Sequence, residues 1–370
     1  MTPIDPEPLD LDALRFEPLA DRPSKVGLAD LGQPSASGIS LDDWLDGLPD
    51  QLGAKGLKRL RDAILRAHAG GHRVLAALGG HVVKTGCGPY LIDWMERGLL
   101  NGLALNGSAA IHDLELAIAG RTSEDVGPRL LEGSFGFARE TSVLFAAACD
   151  RAADRGIGLG AALGGVIEEA GGPGLESSLL VAARRLGIPL TVHVAIGTDI
   201  VHMTAALDGA ALGKATLADF RTLCALVAGL DRGVWLNLGS AVVLPEVFLK
   251  AVAIARNLGK PLDGLTTANL DFQQHYRGLF NVLQRPGAEG IALTGHHELM
   301  IPLLHAAVVA RLAHVGGTDA NRRLLPEPDR RHRDGHPDLP CPAAGISQGP
   351  HPRRDQASRG PDAGRGPLVR

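Results

Sequence analysis

The sequence predicts an α/β protein with a parallel sheet, helices on both faces of the sheet, an extended N-terminal arm and a disordered C-terminal tail. Short apolar runs recur along the middle of the chain, and each is followed by a glycine-containing loop and an amphipathic helix. Parallel strands joined by crossover helices require this order. The runs are rich in Val and Gly and do not alternate with polar residues, as expected of strands that are buried on both faces.

The composition is that of a globular protein whose partners are small molecules. The chain has 370 residues, of which 45% are hydrophobic and 4% aromatic, and its formal net charge is -4. This balance allows a sizeable core and argues against nucleic-acid binding, which needs a basic face and stacking rings. No stretch approaches the roughly 18 apolar residues of a membrane span, and the start lacks a signal-peptide pattern. We therefore expect a cytoplasmic protein with no membrane partner.

Three regions are predicted along the chain. Residues 1–40, rich in Pro, Asp and Gly, form a flexible arm, and residues 41–315 form the folded domain. Residues 316–370 are dense in Arg, Pro, Gly and His, contain no Lys, and are predicted to be disordered. This tail fits either a genuine basic extension or the out-of-frame translation of a GC-rich gene. The widely spaced cysteines are predicted to be reduced thiols: Cys87, Cys149, Cys224 and Cys341.

Helices and strands follow from the apolar periodicity. Two amphipathic helices are predicted before the first strand, over residues 41–48 and 54–68. The predicted strands cover residues 73–78, 102–105, 190–194, 233–237, 264–267 and 291–294. The predicted crossover helices cover residues 88–97, 109–119, 174–186, 217–230 and 245–258.

A glycine-rich loop follows the first predicted strand. It reads GGHVVKTGCG over residues 79–88 and leads into a helix with Pro89 in its first turn. Free backbone N–H groups and the helix N-terminus could hold a pyrophosphate or a ribose there, with Lys84 or Thr85 in contact. The loop fits neither the GxGxxG nor the Walker A pattern, so a tight strand-to-helix connection is the alternative.

Polar residues follow the other predicted strands at their carboxyl ends, where open α/β sheets bind ligands. His112 and Asp113 open the helix after the second strand, and Asp113 is either a site carboxylate or a favourable charge for the helix dipole. Asp199 follows the third strand, where it could hold a cationic amine or a ribose hydroxyl. The remaining strand ends supply Gly239-Ser240, Thr267-Ala268-Asn269 with Asp271, and Gly295-His296-His297-Glu298.

Several blocks resemble, in order, the deoxyhypusine synthase family: NG followed by IHDLE, then VHVAIGTDIVHM, WLNLGSAVVLPEVF, TTANLDF and ALTGHHELM. The resemblance covers about residues 70–311. That family has a Rossmann-like parallel sheet, binds NAD, forms a homotetramer from tight dimers, and transfers the butylamine part of spermidine to a protein lysine. The resemblance therefore implies an NAD cofactor, a small cationic amine or amino acid as substrate, and a homo-oligomer, either a dimer or a tetramer.

The resemblance also implies roles for individual residues. It places Asp113 and Asp199 where the family holds the polyamine. Histidines can move protons near neutral pH, which makes His112, His296 and His297 the catalytic candidates. The residues implied to line the dinucleotide site are Lys84, Thr85, Gly86, Gly88, Asn106, Gly107, Asp199, Gly239, Ser240, Thr267 and Ala268.

The chain departs from the family at its essential lysine. That lysine lies downstream of the block matched by TTANLDF, and this chain has no lysine after Lys260. The corresponding stretch, RGLFNVLQR over residues 277–285, offers no neutral amine to attack an imine carbon. The family's acidic residue before the last helix is replaced by His296-His297.

Three functions are compatible with these features. The leading one is an NAD-dependent enzyme that acts on a small amine, polyamine or amino acid by C–N bond oxidation or aminoalkyl transfer. The second is a metal-dependent hydrolase, although no HExxH or comparable spacing is present; its candidate residues are His112, Asp113, His193, His202, His296, His297 and Glu298. The third is a non-catalytic nucleotide-binding or scaffold protein that lost its chemistry with the lysine.

Overall fold

The computed structural model describes residues 8–316, so the predicted tail beyond Gly316, together with Cys341, lies outside the described residues. Six parallel strands form one sheet. They are β1 (Val74–Leu78), β2 (Gly102–Asn106), β3 (Leu190–His193), β4 (Val234–Leu238), β5 (Thr266–Asp271) and β6 (Glu289–Thr294). Their order is β3-β2-β1-β4-β5-β6, so the winding of the sheet reverses between β1 and β4. The predicted parallel α/β sheet is confirmed.

Helices cover both faces of this sheet, as predicted. They are α1 (Leu41–Asp46), α2 (Leu52–Ala69), α3 (Gly80–Lys84), α4 (Gly88–Glu96), α5 (Gly107–Ala119), α6 (Val126–Leu131), α7 (Arg139–Arg155), α8 (Leu159–Ala170), α9 (Leu179–Leu186), α10 (Gly209–Val227), α11 (Val243–Asn257) and α12 (His297–Gly316). A π-helical segment, Gly278–Gln284, precedes β6. Within the described part of the chain, every helix is too short or too polar to cross a membrane.

Some helices differ from the sequence prediction. The helix predicted over residues 174–186 is a 3-10 turn at Leu175–Ser177 followed by α9, because the Ser178 hydroxyl caps α9 by accepting the N–H of Val181 at 3.2 Å. The predicted glycine-rich loop contains the short helix α3. No helix was predicted over α6, α7, α8 or α12.

Alternate residues of the central strands face two separate apolar clusters. Val234, Leu236 and Leu238 of β4 belong to the larger cluster, which is shared with α2, α4, α5, α8, α9 and α12. Trp235 faces the other side and stacks on Phe248 of α11, with ring centroids 4.2 Å apart. Burial on both faces explains why these strands read as apolar runs.

Two glycines allow the carboxyl ends of β1 and β4 to touch. The N–H of Gly79 donates to the carbonyl of Leu238 at 2.9 Å. A Cβ atom added to Gly79 would come within 2.0 Å of the Gly239 carbonyl oxygen. Gly239 itself has a positive φ of 65°, which side chains rarely adopt. The ends of β1 and β4 are therefore in direct backbone contact at the point where the strand order of the sheet reverses.

The described part of the N-terminal arm makes few contacts with the rest of the chain. It contains two single-turn 3-10 helices, at Leu11–Ala13 and Leu28–Asp30. Large apolar side chains that are exposed on it are Leu9, Leu11, Leu14, Phe16, Leu19, Val26, Leu28, Leu31 and Ile39.

The contact at Gly79 predicts that Gly79→Ala lowers the free energy of unfolding by about 1–3 kcal/mol, the usual cost of overpacking. Urea unfolding measures this. Gly213→Ala is the matched control, because Gly213 lies within α10 and no atom lies within 4 Å of the added carbon. That control should stabilise the protein by up to about 1 kcal/mol. A Gly79→Ala variant as stable as the parent would contradict the contact.

Candidate functional site

A cleft of about 540 Å³ opens at the carboxyl ends of the strands on the β2–β3 side of the sheet. Its size is typical of small-molecule sites. Residues that follow β1, β2 and β3 line it, together with the connection between α5 and α7. The cleft brings together three of the predicted site residues: Lys84, His112 and Asp199.

Asp199 lies against the first turn of α5. A Cβ atom on Gly107 would come within 2.0 Å of Asp199 Oδ2, so only glycine at 107 allows this approach. Burial raises the pKa of Asp199, and His202 partly opposes the shift. Asp199 Oδ2 is buried and has no hydrogen-bond partner within residues 8–316. A carboxylate oxygen in this position is costly unless a ligand donates a hydrogen bond to it.

His202 presents a second buried polar atom beside Asp199. Its Nδ1 accepts the N–H groups of Gly197 and Asp199, both at 3.2 Å. When the ring is neutral, its proton is therefore on Nε2. This Nε2 is buried and unpartnered in the described structure. Sequence reasoning named His202 only as a metal ligand and missed this arrangement.

His112 belongs to a hydrogen-bonded group on the wall of the cleft. Its Nδ1 lies 2.7 Å from Thr122 Oγ1, which donates to Glu115 Oε2 at 2.5 Å. The Thr141 hydroxyl donates to the other oxygen of Glu115 at 3.0 Å. Burial lowers the pKa of His112, as does the nearby Lys84, whereas Glu115 raises it. Burial and Lys84 thus favour the neutral imidazole, which can accept a proton.

Glu115 and Thr122 were not predicted as site residues. The spacing of His112 and Glu115, three residues apart on one helix, was a signal that could have identified Glu115. Thr122 lies in residues 120–138, the connection between α5 and α7, which forms one wall of the cleft. Within this connection Glu124 accepts the N–H of Gly136 at 2.7 Å and the Nε–H of Arg129 at 3.2 Å.

Asp113 does not face the cleft. Its side chain is 2% exposed and accepts hydrogen bonds from the Ser178 hydroxyl at 2.6 Å and from the N–H groups of Leu179 and Leu180 at 2.8 and 3.1 Å. Burial raises its pKa to about 6, and these three hydrogen bonds oppose the rise. The expected substrate-binding role is therefore corrected: both oxygens of Asp113 are used to hold the N-terminus of α9.

Gly239 and Ser240 lie where β1 and β4 meet, beside His297. A Cβ atom on Gly239 would come within 2.7 Å of His297 Cε1. His297 is 1% exposed, its Nε2 lies 3.3 Å from the Leu270 carbonyl oxygen, and burial lowers its pKa. The Ser240 hydroxyl accepts the N–H of Leu244 and so caps the start of α11. His296, by contrast, is exposed at the surface.

Thr267 and Ala268 do not lie at the carboxyl end of β5. The predicted strand ended at Thr267, but β5 continues to Asp271 because its later residues pair with both β4 and β6. Thr267 and Ala268 are fully buried near the start of the strand. Asp271 forms its carboxyl end instead, with Oδ1 4.0 Å from His297 Nε2. The expected contact of Thr267 and Ala268 with a dinucleotide is thus corrected.

The other predicted residues around the glycine-rich loop and the start of α5 stabilise the local backbone conformation. The Thr85 hydroxyl donates to the His81 carbonyl at 2.9 Å, and Gly86 has a φ of 78°. Gly88 is the buried first residue of α4. Asn106 caps α5, its side-chain oxygen accepting the N–H of Ala109 at 2.8 Å.

The stretch in which the sequence resemblance expected a lysine, residues 277–285, contains the π-helical turn. Arg277, just before it, donates to Glu246 at 3.0 Å, and Arg285, just after it, donates to Asn281 at 2.6 Å. Both arginines are engaged with protein partners, which agrees with the absence of an imine-forming amine in this stretch.

The residues proposed for a metal site do not converge. His193 is buried within the sheet, where its Nε2 lies 2.9 Å from the Thr191 hydroxyl, and burial lowers its pKa to about 4. His112 lies in the cleft and His297 at the end of β6. Among the described residues, no three or more His, Cys, Asp or Glu side chains are grouped so that they could hold a metal ion.

Comparison with known proteins gives structural neighbours only. No family model and no curated protein matches the chain. A LOR/SDH protein from Methanococcus maripaludis S2 has a TM-score of 0.46 and 15% identity, covering 71% of this chain and 71% of its own. AgrE in complex with ornithine and NAD+ has a TM-score of 0.44 and 13% identity, covering 75% of this chain but 34% of its own. A protein assigned as a deoxyhypusine synthase from Entamoeba histolytica has a TM-score of 0.46 and 10% identity, covering 76% and 96%. Likenesses with TM-scores below 0.5 do not identify a family or an activity for this chain.

The electrostatics of the cleft predict that Lys84→Met raises the pKa of His112, because the positive charge that disfavours the imidazolium is removed. An NMR titration of the His112 ring measures the shift. Lys214→Met, on α10 and outside the cleft lining, is the control and should leave the pKa of His112 unchanged. An unchanged or lower pKa in Lys84→Met would show that Lys84 does not act on the ring.

The capping role of Asp113 predicts that Asp113→Asn destabilises the fold by about 1–3 kcal/mol, because an amide NH2 group would face backbone N–H donors. Asp199→Asn is the matched variant, and it should change stability by less than about 0.5 kcal/mol because no protein donor is lost. Thermal and urea unfolding compare the two. If Asp113→Asn were the milder change, the assignment of the two carboxylates would be reversed.

Proposed function

We propose that this chain is a deoxyhypusine synthase-like, NAD-dependent enzyme that oxidises a C–N bond of a small amine, polyamine or amino acid. The observation that supports this most is the pairing, in one cleft, of a buried and unpartnered carboxylate oxygen with a neutral histidine. These are Asp199 Oδ2 and His112. An ammonium group would complete the hydrogen bonding of Asp199, and His112 would take the proton that leaves during oxidation.

The carboxyl ends of the strands are a suitable place for a dinucleotide. Open sheets bind nucleotides where the strand order reverses, and here that point lies between β1 and β4. Gly79, Gly107 and Gly239 bring the chain together at these strand ends, because their Cβ positions are occupied by Gly239, Asp199 and His297 respectively. In this proposal NAD would contact Lys84, Asn106, Gly107, Gly239 and Ser240. NAD, when bound, would accept the hydride from the carbon that carries the amine.

The remaining cleft residues have defined tasks in this proposal. Lys84 favours the neutral form of His112, which keeps the ring ready to accept a proton. Asp199 holds and orients the ammonium. Aminobutyl transfer to a protein lysine is not part of the proposal, because no side chain of residues 277–285 is an amine. A homo-oligomer, dimer or tetramer, remains a prediction from the resemblance.

The proposal predicts that NAD raises the melting temperature, since a ligand that binds only the folded state stabilises it by about 2.7 kcal/mol at a hundredfold excess over Kd. It also predicts that putrescine, spermidine or ornithine binds in the presence of NAD. Asp199→Asn should weaken amine binding by about 1.5–3 kcal/mol while NAD binding is retained. Isothermal titration calorimetry measures both.

The alternative outcomes are distinct. If NAD gives no shift in either redox state at millimolar concentration, the cofactor assignment fails. If NAD binds but no amine does, the protein is a nucleotide-binding protein without this chemistry. If Asp199→Asn weakens NAD binding in place of amine binding, Asp199 contacts the ribose and not the substrate.

A further inference from the structure

The hydroxyl of Thr122 lies between His112 and Glu115 and can serve only one of them as a donor. Its oxygen is 2.7 Å from His112 Nδ1 and 2.5 Å from Glu115 Oε2. A threonine hydroxyl has a single proton, whereas its oxygen can accept further hydrogen bonds. The direction of each hydrogen bond in this group is therefore decided by what its outer members can do.

Glu115 decides the direction. Its ionised carboxylate can only accept hydrogen bonds, so Thr122 must donate to it. Thr141 donates to the other oxygen at 3.0 Å, so both carboxylate oxygens receive hydroxyl protons. With its proton given to Glu115, Thr122 can only accept from His112. The neutral ring must then carry its proton on Nδ1.

We propose that Thr122 is a positioning residue that fixes His112 as the Nδ1–H tautomer and so leaves the Nε2 lone pair as the proton acceptor in the cleft. Without such a partner the two ring nitrogens of a neutral imidazole exchange the proton freely. No hydrogen bond to His112 Nε2 forms within the described residues. The catalytic meaning of this arrangement rests on the proposed function, but the tautomer itself does not.

The position of Thr122 ties this effect to one wall of the cleft. His112 and Glu115 lie on α5, but Thr122 lies beyond the end of α5, in the connection formed by residues 120–138. The three groups meet only when the start of this connection folds back against α5. The tautomer of His112 is therefore fixed only when this wall of the cleft is formed.

The test is 15N NMR of the histidine rings, with the His112 signals assigned by their loss in His112→Gln. In the parent protein above the pKa of His112, we expect Nδ1 to resonate as a protonated, pyrrole-type nitrogen and Nε2 as an unprotonated, pyridine-type nitrogen. Thr122→Val removes the acceptor and should shift the population towards the Nε2–H tautomer. Thr122→Ser keeps the hydroxyl and should restore the parent pattern.

Two further variants separate this role from general packing. Glu115→Gln should also weaken the preference, because an amide can donate to Thr122 and release the hydroxyl proton towards Nδ1. Thr141→Val removes the other hydroxyl from the same carboxylate without touching His112, and it should leave the tautomer unchanged. An Nε2–H tautomer in the parent, or an unchanged pattern in both Thr122→Val and Glu115→Gln, would overturn the proposal. Failure of NAD and amines to bind would leave these spectra unaffected, so the two failures are distinguishable.

Discussion

The structure depends on the backbone contact between the carboxyl ends of β1 and β4. Gly79 and Gly239 leave no room for a side chain between the two strands, and the strand order reverses at this contact. The helices that follow β1 pack on the face of the larger apolar cluster, whereas α11, after β4, packs on the other face. The cleft of about 540 Å³ lies beside this contact, on the β2–β3 side of the sheet.

Hydrogen-bond partners, more than burial, separate the structural carboxylates from the candidate ligand group. Asp113 and Asp219 are both buried, and backbone N–H groups of neighbouring elements donate to each of them. Burial raises the pKa of Asp219 to about 7. Each of these side chains holds two elements together. Asp199 is less buried, yet one of its oxygens lacks a partner in the described structure. Burying a carboxylate oxygen without a hydrogen bond costs free energy, and this is the physical reason for expecting a donor from outside the chain.

The sequence predicted the sheet well because strands buried on both faces leave a plain apolar signature. It predicted the site less well, since distant residues complete the hydrogen bonds of single side chains. The cap that Asp113 provides to α9 depends on Ser178, which lies 65 residues away. The true end of β5 depends on pairing with β4 and β6, which no local pattern encodes. Thr122 was missed for a related reason: it lies in an irregular connection, where residues carry no periodicity to mark them.

In the proposed function, Asp199 Oδ2 receives a ligand ammonium in the cleft beside His112. A crystal structure determined with NAD and a diamine present would locate this ammonium. We expect an amine nitrogen within hydrogen-bonding distance of Asp199 Oδ2, with the dinucleotide across the ends of β1 and β4. A diamine bound elsewhere, or an Asp199 Oδ2 that pairs with a protein donor while the cleft holds no amine, would contradict it.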